Sequence, residues 1–141
     1  MSIYVDSSFL VSLYLTDTHS PASRSRMGSA PGLWFTPLHN AEWAHVLGQH
    51  VFRGQLSPSE ASRMDGKLED HKAAGQWKMI PVPENAFDLC VGLARRYGAE
   101  LGIRALDSLH VACALELKAE RFWTFDERQA RLARAEGLKT T

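Results

Sequence analysis

Residues Ile103 to Leu117 read Ile-Arg-Ala-Leu-Asp-Ser-Leu-His-Val-Ala-Cys-Ala-Leu-Glu-Leu. Leu106, Leu109, Cys113 and Leu117 recur at helical spacing, and Val111, Ala112, Ala114 and Leu115 fill the positions between them. A helix that is apolar almost all round is a buried one. This helix carries one acid, Asp107, in its first turn. An isolated carboxylate in such surroundings is costly, so Asp107 needs a hydrogen bond, a cationic partner or a metal ion. Arg104, three residues earlier, is a candidate partner, and a structural ion pair and a metal site both meet the requirement.

Working outward, Phe122-Trp123-Thr124-Phe125 reads as a strand ending on Asp126. Glu127 to Glu136 reads as a helix stopped by Gly137, and Leu138 to Thr140 as a last short strand. On the other side, Glu84 to Tyr97 predicts an amphipathic helix with Phe87, Cys90, Val91, Ala94 and Tyr97 inward and Gly98 as its stop. Trp77 to Val82 predicts a strand closed by Pro83. Ser57-Pro58-Ser59-Glu60 combines an N-cap serine, a proline at the first helical position and a capping-box glutamate, and opens a polar helix running toward Lys72. Pro37 to His50 predicts a helix with Trp43, Val46, Leu47 and His50 on one face and Glu42 beside it, near the start. Leu33 to Thr36 reads as a strand. Thr16 to Gly32 is a Ser-, Pro- and Gly-rich loop in which Ser20-Pro21 opens a short helix at most. The chain begins with a strand, Ile3-Tyr4-Val5, that ends on Asp6 before a helix built on Phe9, Leu10, Leu13 and Tyr14. Strands alternating with helices predict a parallel sheet covered on both faces. The expected architecture is a single α/β domain over residues 1–141, a three-layer α/β/α sandwich with a mainly parallel sheet.

Composition narrows the function classes. The formal net charge is zero, so bulk charge does not announce a nucleic-acid binder. Divalent ions on a cluster of acids would, however, leave the rest of the surface net positive. Cys90 and Cys113 sit in apolar helical patterns and read as core residues, and no CxxC pattern suggests zinc or redox chemistry. Trp34, Trp43, Trp77 and Trp123 are spread over several elements, as core or dimer-interface residues are. The run from Phe9 to Leu15 is too short to span a bilayer, which predicts a cytoplasmic protein with no membrane partner.

The acids share a place. Asp6 and Asp126 end strands, and Glu42 and Asp107 lie at or near helix starts. In a doubly wound sheet both positions face one edge. Two like charges ~4 Å apart repel by about 4 kcal/mol at an effective dielectric of ~20, so four converging carboxylates require protons or cations among them. Oxygen-only donors suit Mg2+ or Mn2+.

Four short motifs in order now carry a resemblance: Val5 to Ser8, Asn40 to Trp43, Arg104 to Ala112, and Thr124 to Arg128. Over essentially the whole chain the sequence resembles a PIN domain, and most of all the VapC-type toxins of bacterial toxin–antitoxin pairs. The resemblance implies an endoribonuclease that uses Mg2+ or Mn2+, forms a homodimer and is blocked by an antitoxin protein. Carried over by motif, Asp6, Glu42, Asp107 and Asp126 are the catalytic and metal-binding acids, and Ser8 and Thr124 are supporting hydroxyls. Arg104, His110 and Arg128 are candidate RNA contacts, and Glu127 is adjacent to a further acid seen in some members without being clearly equivalent. Three rivals stand beside this reading. Glu42-x-x-His45 and Asp107-x-x-His110 have the spacing of di-metal carboxylate/histidine oxidoreductases, which need four long helices. A phospho-accepting receiver domain wants adjacent acids after its first strand. A catalytically inactive PIN-like interaction module shares every residue named above.

Overall fold

The computed structural model describes residues 2–15, 19–29 and 32–140, with the backbone alone at Ser29. The first strand, β1 (Ile3–Val5), is buried throughout and pairs in parallel with β4 (Arg121–Trp123), Ile3 facing Arg121 and Val5 facing Trp123. A second parallel pair joins β2 (Leu33–Phe35) to β3 (Trp77–Met79). β1 and β2 lie side by side. Among the described residues, strand-to-strand ladders run only within the two pairs. The expected parallel sheet is thus built as two short ribbons.

Side-chain alternation along these strands makes the layers. Ile3, Val5, Leu33, Phe35 and Trp123 point into one core with α1 (Ser7–Tyr14), α3 (Pro37–Phe52) and α4 (Pro58–Ala73). Tyr4, Trp34 and Phe122 point to the opposite core, formed with α5 (Ala86–Leu101), α6 (Ala105–Glu116) and α7 (Glu127–Ala135). The three-layer α/β/α arrangement is the one the element order predicts. Cys113 is buried and Cys90 half-buried, and both thiols are free. No helix among the described residues is long and apolar enough to cross a membrane.

Several local expectations shift. Much of the segment expected as a loop is α2 (Ser20–Ser29), while residues 16–18 and 30–31 lie outside the described set. It is held to the domain by the Ser20 hydroxyl, which donates to the Ser12 carbonyl at 2.7 Å, and by Met27, which packs against the core. The third strand is three residues long instead of six. Ile80 N–H still reaches the Phe35 carbonyl at 3.0 Å, but Pro81 has no N–H to continue the ladder. The helix expected to stop at Gly98 runs through it and ends at Gly102, which takes the left-handed cap at φ 64°. Its inward stripe is rotated as well: Ala86 and Leu93 are buried, whereas Phe87 and Val91 are 61% and 48% exposed. Leu106 on α6 also faces out. The last expected strand is a single bridge, Arg121 to Lys139.

One polar residue crosses the seam between the ribbons. Thr36 caps α3 by accepting from Leu38 N–H at 3.2 Å, and His39 Nδ1 accepts from Thr36 N–H at 3.0 Å in return. That leaves Nε2 as the protonated nitrogen, and it lies 2.7 Å from the Val5 carbonyl at the end of β1. His39 therefore ties the start of α3 to β1 where no ladder does. Burial, helped by the neighbouring His110, holds its pKa down at about 3.

The unfolded chain takes up a proton on His39 near pH 6.5 and the native protein does so only near 3, so this stability is complete above 6.5 and lost as pH falls toward 3. Urea unfolding between about pH 6.5 and 4.5 is expected to lose on the order of 2 kcal/mol from this group, and His39→Gln to flatten that slope. A slope equal to wild type in His39→Gln would show that the pH dependence arises elsewhere.

Candidate active site

Asp6 follows β1 directly and caps α1, and it is almost completely buried. Its Oδ1 accepts from Phe9 N–H at 3.0 Å, and the Ser8 hydroxyl lies 2.8 and 2.9 Å from its two oxygens. The Thr124 hydroxyl, arriving from the end of β4, lies 2.6 Å from Oδ2. Three donors for about four lone-pair sites leave room for one further donor or cation. Burial raises the Asp6 pKa, and the bonds from Thr124, Phe9 and Ser8 oppose that rise without cancelling it.

The segment after β4 is fixed by the same hydroxyls. Phe125 N–H donates to Ser8 Oγ at 3.1 Å and Asp126 N–H to Thr124 Oγ1 at 2.9 Å. Asp126 lies three residues beyond the strand rather than on it, and caps α7 by accepting from Gln129 N–H at 3.0 Å. Asp107 stands in the first turn of α6, where Arg104 Nε donates to its Oδ2 at 3.2 Å. That guanidinium is 80% exposed, so the pair is solvent-screened and contributes little to stability. Gln129 Nε2 donates to the Asp107 carbonyl at 3.1 Å and so ties α7 to α6.

Asp6, Asp107 and Asp126 line one open cavity of about 410 Å³, together with Ser7, Ser8, Val11, His19, Val46, Arg104 and Phe125. Glu42 stands apart. It occupies the second turn of α3, not the first, and faces a neighbouring groove with Leu38, His45 and Leu106. Its connection to the cavity runs through Ser7, whose hydroxyl donates to Oε2 at 3.1 Å, while Oε1 pairs with His110 Nε2. His110 is 1% exposed and bonds Tyr4 through its other nitrogen, so it does not reach a surface that RNA contacts. Its expected role as an RNA contact gives way to a place inside the fold.

Arg104 is at the mouth of the cavity. Arg128 is exposed on α7, with Nη1 3.9 Å from where a Cβ on Gly102 would sit, beside the α5–α6 turn. Glu127 turns away to pair with Arg134 at 2.9 Å. His45, the partner the di-metal oxidoreductase reading requires for Glu42, bonds its own helix at the Ala41 carbonyl, and the layered sheet replaces the four-helix frame of that class. Sequence reasoning missed Tyr4, Ser7, His39 and Gln129, whose bonds join distant segments. It also missed the His19 ring, which stacks on Phe125 at 4.2 Å at the rim.

Among the described residues, no three Asp, Glu, His or Cys side chains are grouped so as to hold a metal ion by themselves. The donor chemistry of the cavity is nevertheless that of a hard cation: three carboxylates, two hydroxyls and no sulfur. Mg2+ is bound in this way, through one or two carboxylates and retained waters. One or two of Asp6, Asp107 and Asp126, completed by waters, fit such an ion, and the His19 imidazole stands on the same wall.

The sequence matches the family described as "PIN domain" over residues 3–135. The chain belongs to the PIN domain family. Its fold is similar to that of VapC20 from Mycobacterium tuberculosis, described as a Sarcin-Ricin loop cleaving toxin, at 14% identity and TM-score 0.71 over 99% of this chain and 98% of that one. It is equally similar to FitAcB from Neisseria gonorrhoeae, at 14% identity and TM-score 0.73 over 98% and 95% of the two chains. VapBC2 from Rickettsia felis, bound to a DNA fragment from its promoter, matches at 13% identity and TM-score 0.68 over 100% and 98%. No curated protein matches the sequence. In this PIN domain the end of β1 and the starts of α6 and α7 meet at a single cavity.

Because the native state raises the Asp6 pKa, ionising Asp6 costs the folded protein stability as pH climbs from about 3.8 through the folded value. In EDTA at pH 7, Asp6→Asn is therefore expected to melt above wild type. Differential scanning calorimetry checks this, and a lower melting temperature would show that the carboxylate is net stabilising.

Proposed function

We propose that this PIN domain is a Mg2+- or Mn2+-dependent endoribonuclease and the toxin of a toxin–antitoxin pair. The observation that carries the reading is the meeting of Asp6, Asp107 and Asp126, from β1, α6 and the start of α7, on one open cavity. The fold it shares with VapC20, described as a Sarcin-Ricin loop cleaving toxin, supports it.

Asp6, Asp107 and Asp126 would hold the ion, directly or through its waters, with Glu42 at the edge through Ser7. A bound divalent cation supplies Lewis-acid polarisation of the phosphate and a water of lowered pKa. The chain's own residues do the rest. Ser8 and Thr124 keep the Asp6 carboxylate in one orientation from two sides. The cap on Gln129 does the same for Asp126. Arg104 offers an exposed guanidinium beside Asp107 for a backbone phosphate, and Arg128, beyond the α5–α6 turn, extends that cationic approach to RNA.

The same reading includes an antitoxin that covers the acidic cavity, a cytoplasmic location and a homodimer. A surface suited to the second copy runs along α3, where Leu38, Ala41 and Leu106 line one groove and Ala44, Gly48 and Phe52 the next. Phe52 is 91% exposed, a costly place for a phenyl ring in a monomer.

Asp107→Asn is expected to lower RNA cleavage with Mn2+ by about a hundredfold or more, measured against total RNA with mapped cut sites. Wild type no more active than Asp107→Asn would leave the inactive interaction module as the reading. Mn2+ is expected to raise the melting temperature relative to EDTA, and equal melts would count against an ion on these acids. Phe52→Asp is expected to halve the mass seen by analytical ultracentrifugation; an unchanged mass would remove α3 from the interface.

A further inference from the structure

A line of polar groups runs from the cavity inward: Ser7, Glu42, His110, Tyr4. Its inner half is buried among apolar residues. Tyr4 is fully buried, His110 lies on α6 between Leu109 and Val111, and Cys113 lines the same core. Packing alone gives no reason for an imidazole there, since a leucine fills similar volume with no polar atoms to satisfy.

The hydrogen bonds are directional. The Tyr4 phenol, buried in this core, has an O–H to donate at neutral pH. Its oxygen lies 2.8 Å from His110 Nδ1. With Tyr4 as donor, Nδ1 accepts, and the ring hydrogen on Nε2 meets Glu42 Oε1. The other Glu42 oxygen accepts from Ser7 at 3.1 Å. Both carboxylate oxygens are thereby claimed from two sides. Without them, this glutamate has an open groove beside Leu38, His45 and Leu106 to swing into.

We propose that His110, with its tautomer set by Tyr4, is a positioning residue that holds the Glu42 carboxylate against Ser7 at the edge of the acid cavity. The arrangement parallels the way outer partners orient metal-site ligands. The hold on Glu42 stands on the geometry alone; its consequence for catalysis rests on the nuclease reading.

Nitrogen-15 NMR of the histidine rings in the full chain without metal is expected to show His110 protonated on Nε2, the tautomer that the Tyr4 donor and the Glu42 acceptor both require. For RNA cleavage, His110→Leu is expected to lower kcat about tenfold or more with KM within about twofold, while His110→Gln, whose amide retains an N–H donor, stays within about threefold of wild type. Protonation on Nδ1 in the wild type overturns the proposal. So does His110→Leu with wild-type kcat, or a loss as large in His110→Gln as in His110→Leu. If His110→Leu does not fold, the ring nitrogens of the wild type and the kcat of His110→Gln, expected within about threefold of wild type, decide. Failure of the nuclease reading is seen separately, as wild type no more active than Asp107→Asn, and the ring nitrogens then decide the positioning role by themselves.

Discussion

The buried carboxylate of Asp6 is the constraint on which this structure turns. It lies at the end of β1, nearly out of water, and its donors come from two distant parts of the chain. Ser8 and the Phe9 amide belong to α1, but Thr124 comes from the end of β4. That third donor is present only if β1 and β4 pair in their observed register. A slip of one residue would turn Tyr4 and Phe122 out of their core, and Ile3 and Trp123 out of the other. The same slip would take Thr124 off Asp6, so core packing and site assembly impose one condition. Asp126 follows from it, because its N–H is held by the hydroxyl that holds Asp6.

The parts of this arrangement visible in the sequence are those written locally. A short apolar run, an acid and a helix start mark Asp6, and Asp107 is conspicuous as the one acid opening a buried helix. The capping box at Ser57 and Glu60 is also local, and both bonds form, at 3.0 Å each. What the sequence hides is carried by contacts between elements. The start of α3 at Pro37 was legible, but its capping box was not, because it uses His39 where a glutamate or glutamine is the familiar signal. α2 has no apolar stripe and is anchored in part by the Ser20 hydroxyl, which periodicity does not register. On α5, Phe87 and Val91 supplied a false inward stripe because the larger side chains fell on the exposed flank. Ala86 and Leu93 mark the buried one. Glu42 was legible as an acid near the site, yet its partner His110 lies on another helix and no spacing within α3 points to it.

The exposed apolar residues and the site are neighbours. Val46 lines both the acid cavity and the groove that holds Glu42 and Leu106. A chain seated along α3 therefore touches the wall of the cavity without entering it. Zero net charge conceals a division of labour on the same scale. Three carboxylates face inward on the cavity while Arg104 stands at its mouth and Arg128 beyond the adjoining turn. Local sign, not total charge, is what an approaching polyanion meets within a Debye length of ~8 Å.

Buried Asp6 and half-buried Glu42 are held by different means, and the difference has consequences. Asp6 is held by hydroxyls and an amide, all neutral donors, so its charge is accommodated but not balanced. Its raised pKa is the expected sign of that imbalance. Glu42 leans on an imidazole whose other nitrogen is committed to a phenol, which fixes its position. Arg104 is the one lysine or arginine among the residues lining the cavity, exposed and already bonded to Asp107. A fold selected only for stability would have placed asparagine or a buried cation at these positions. Keeping rigidly oriented, under-neutralised carboxylates at a solvent-open cavity makes physical sense where a positive ligand completes the site, because donors that hold the acids in place beforehand reduce the reorganisation that binding demands.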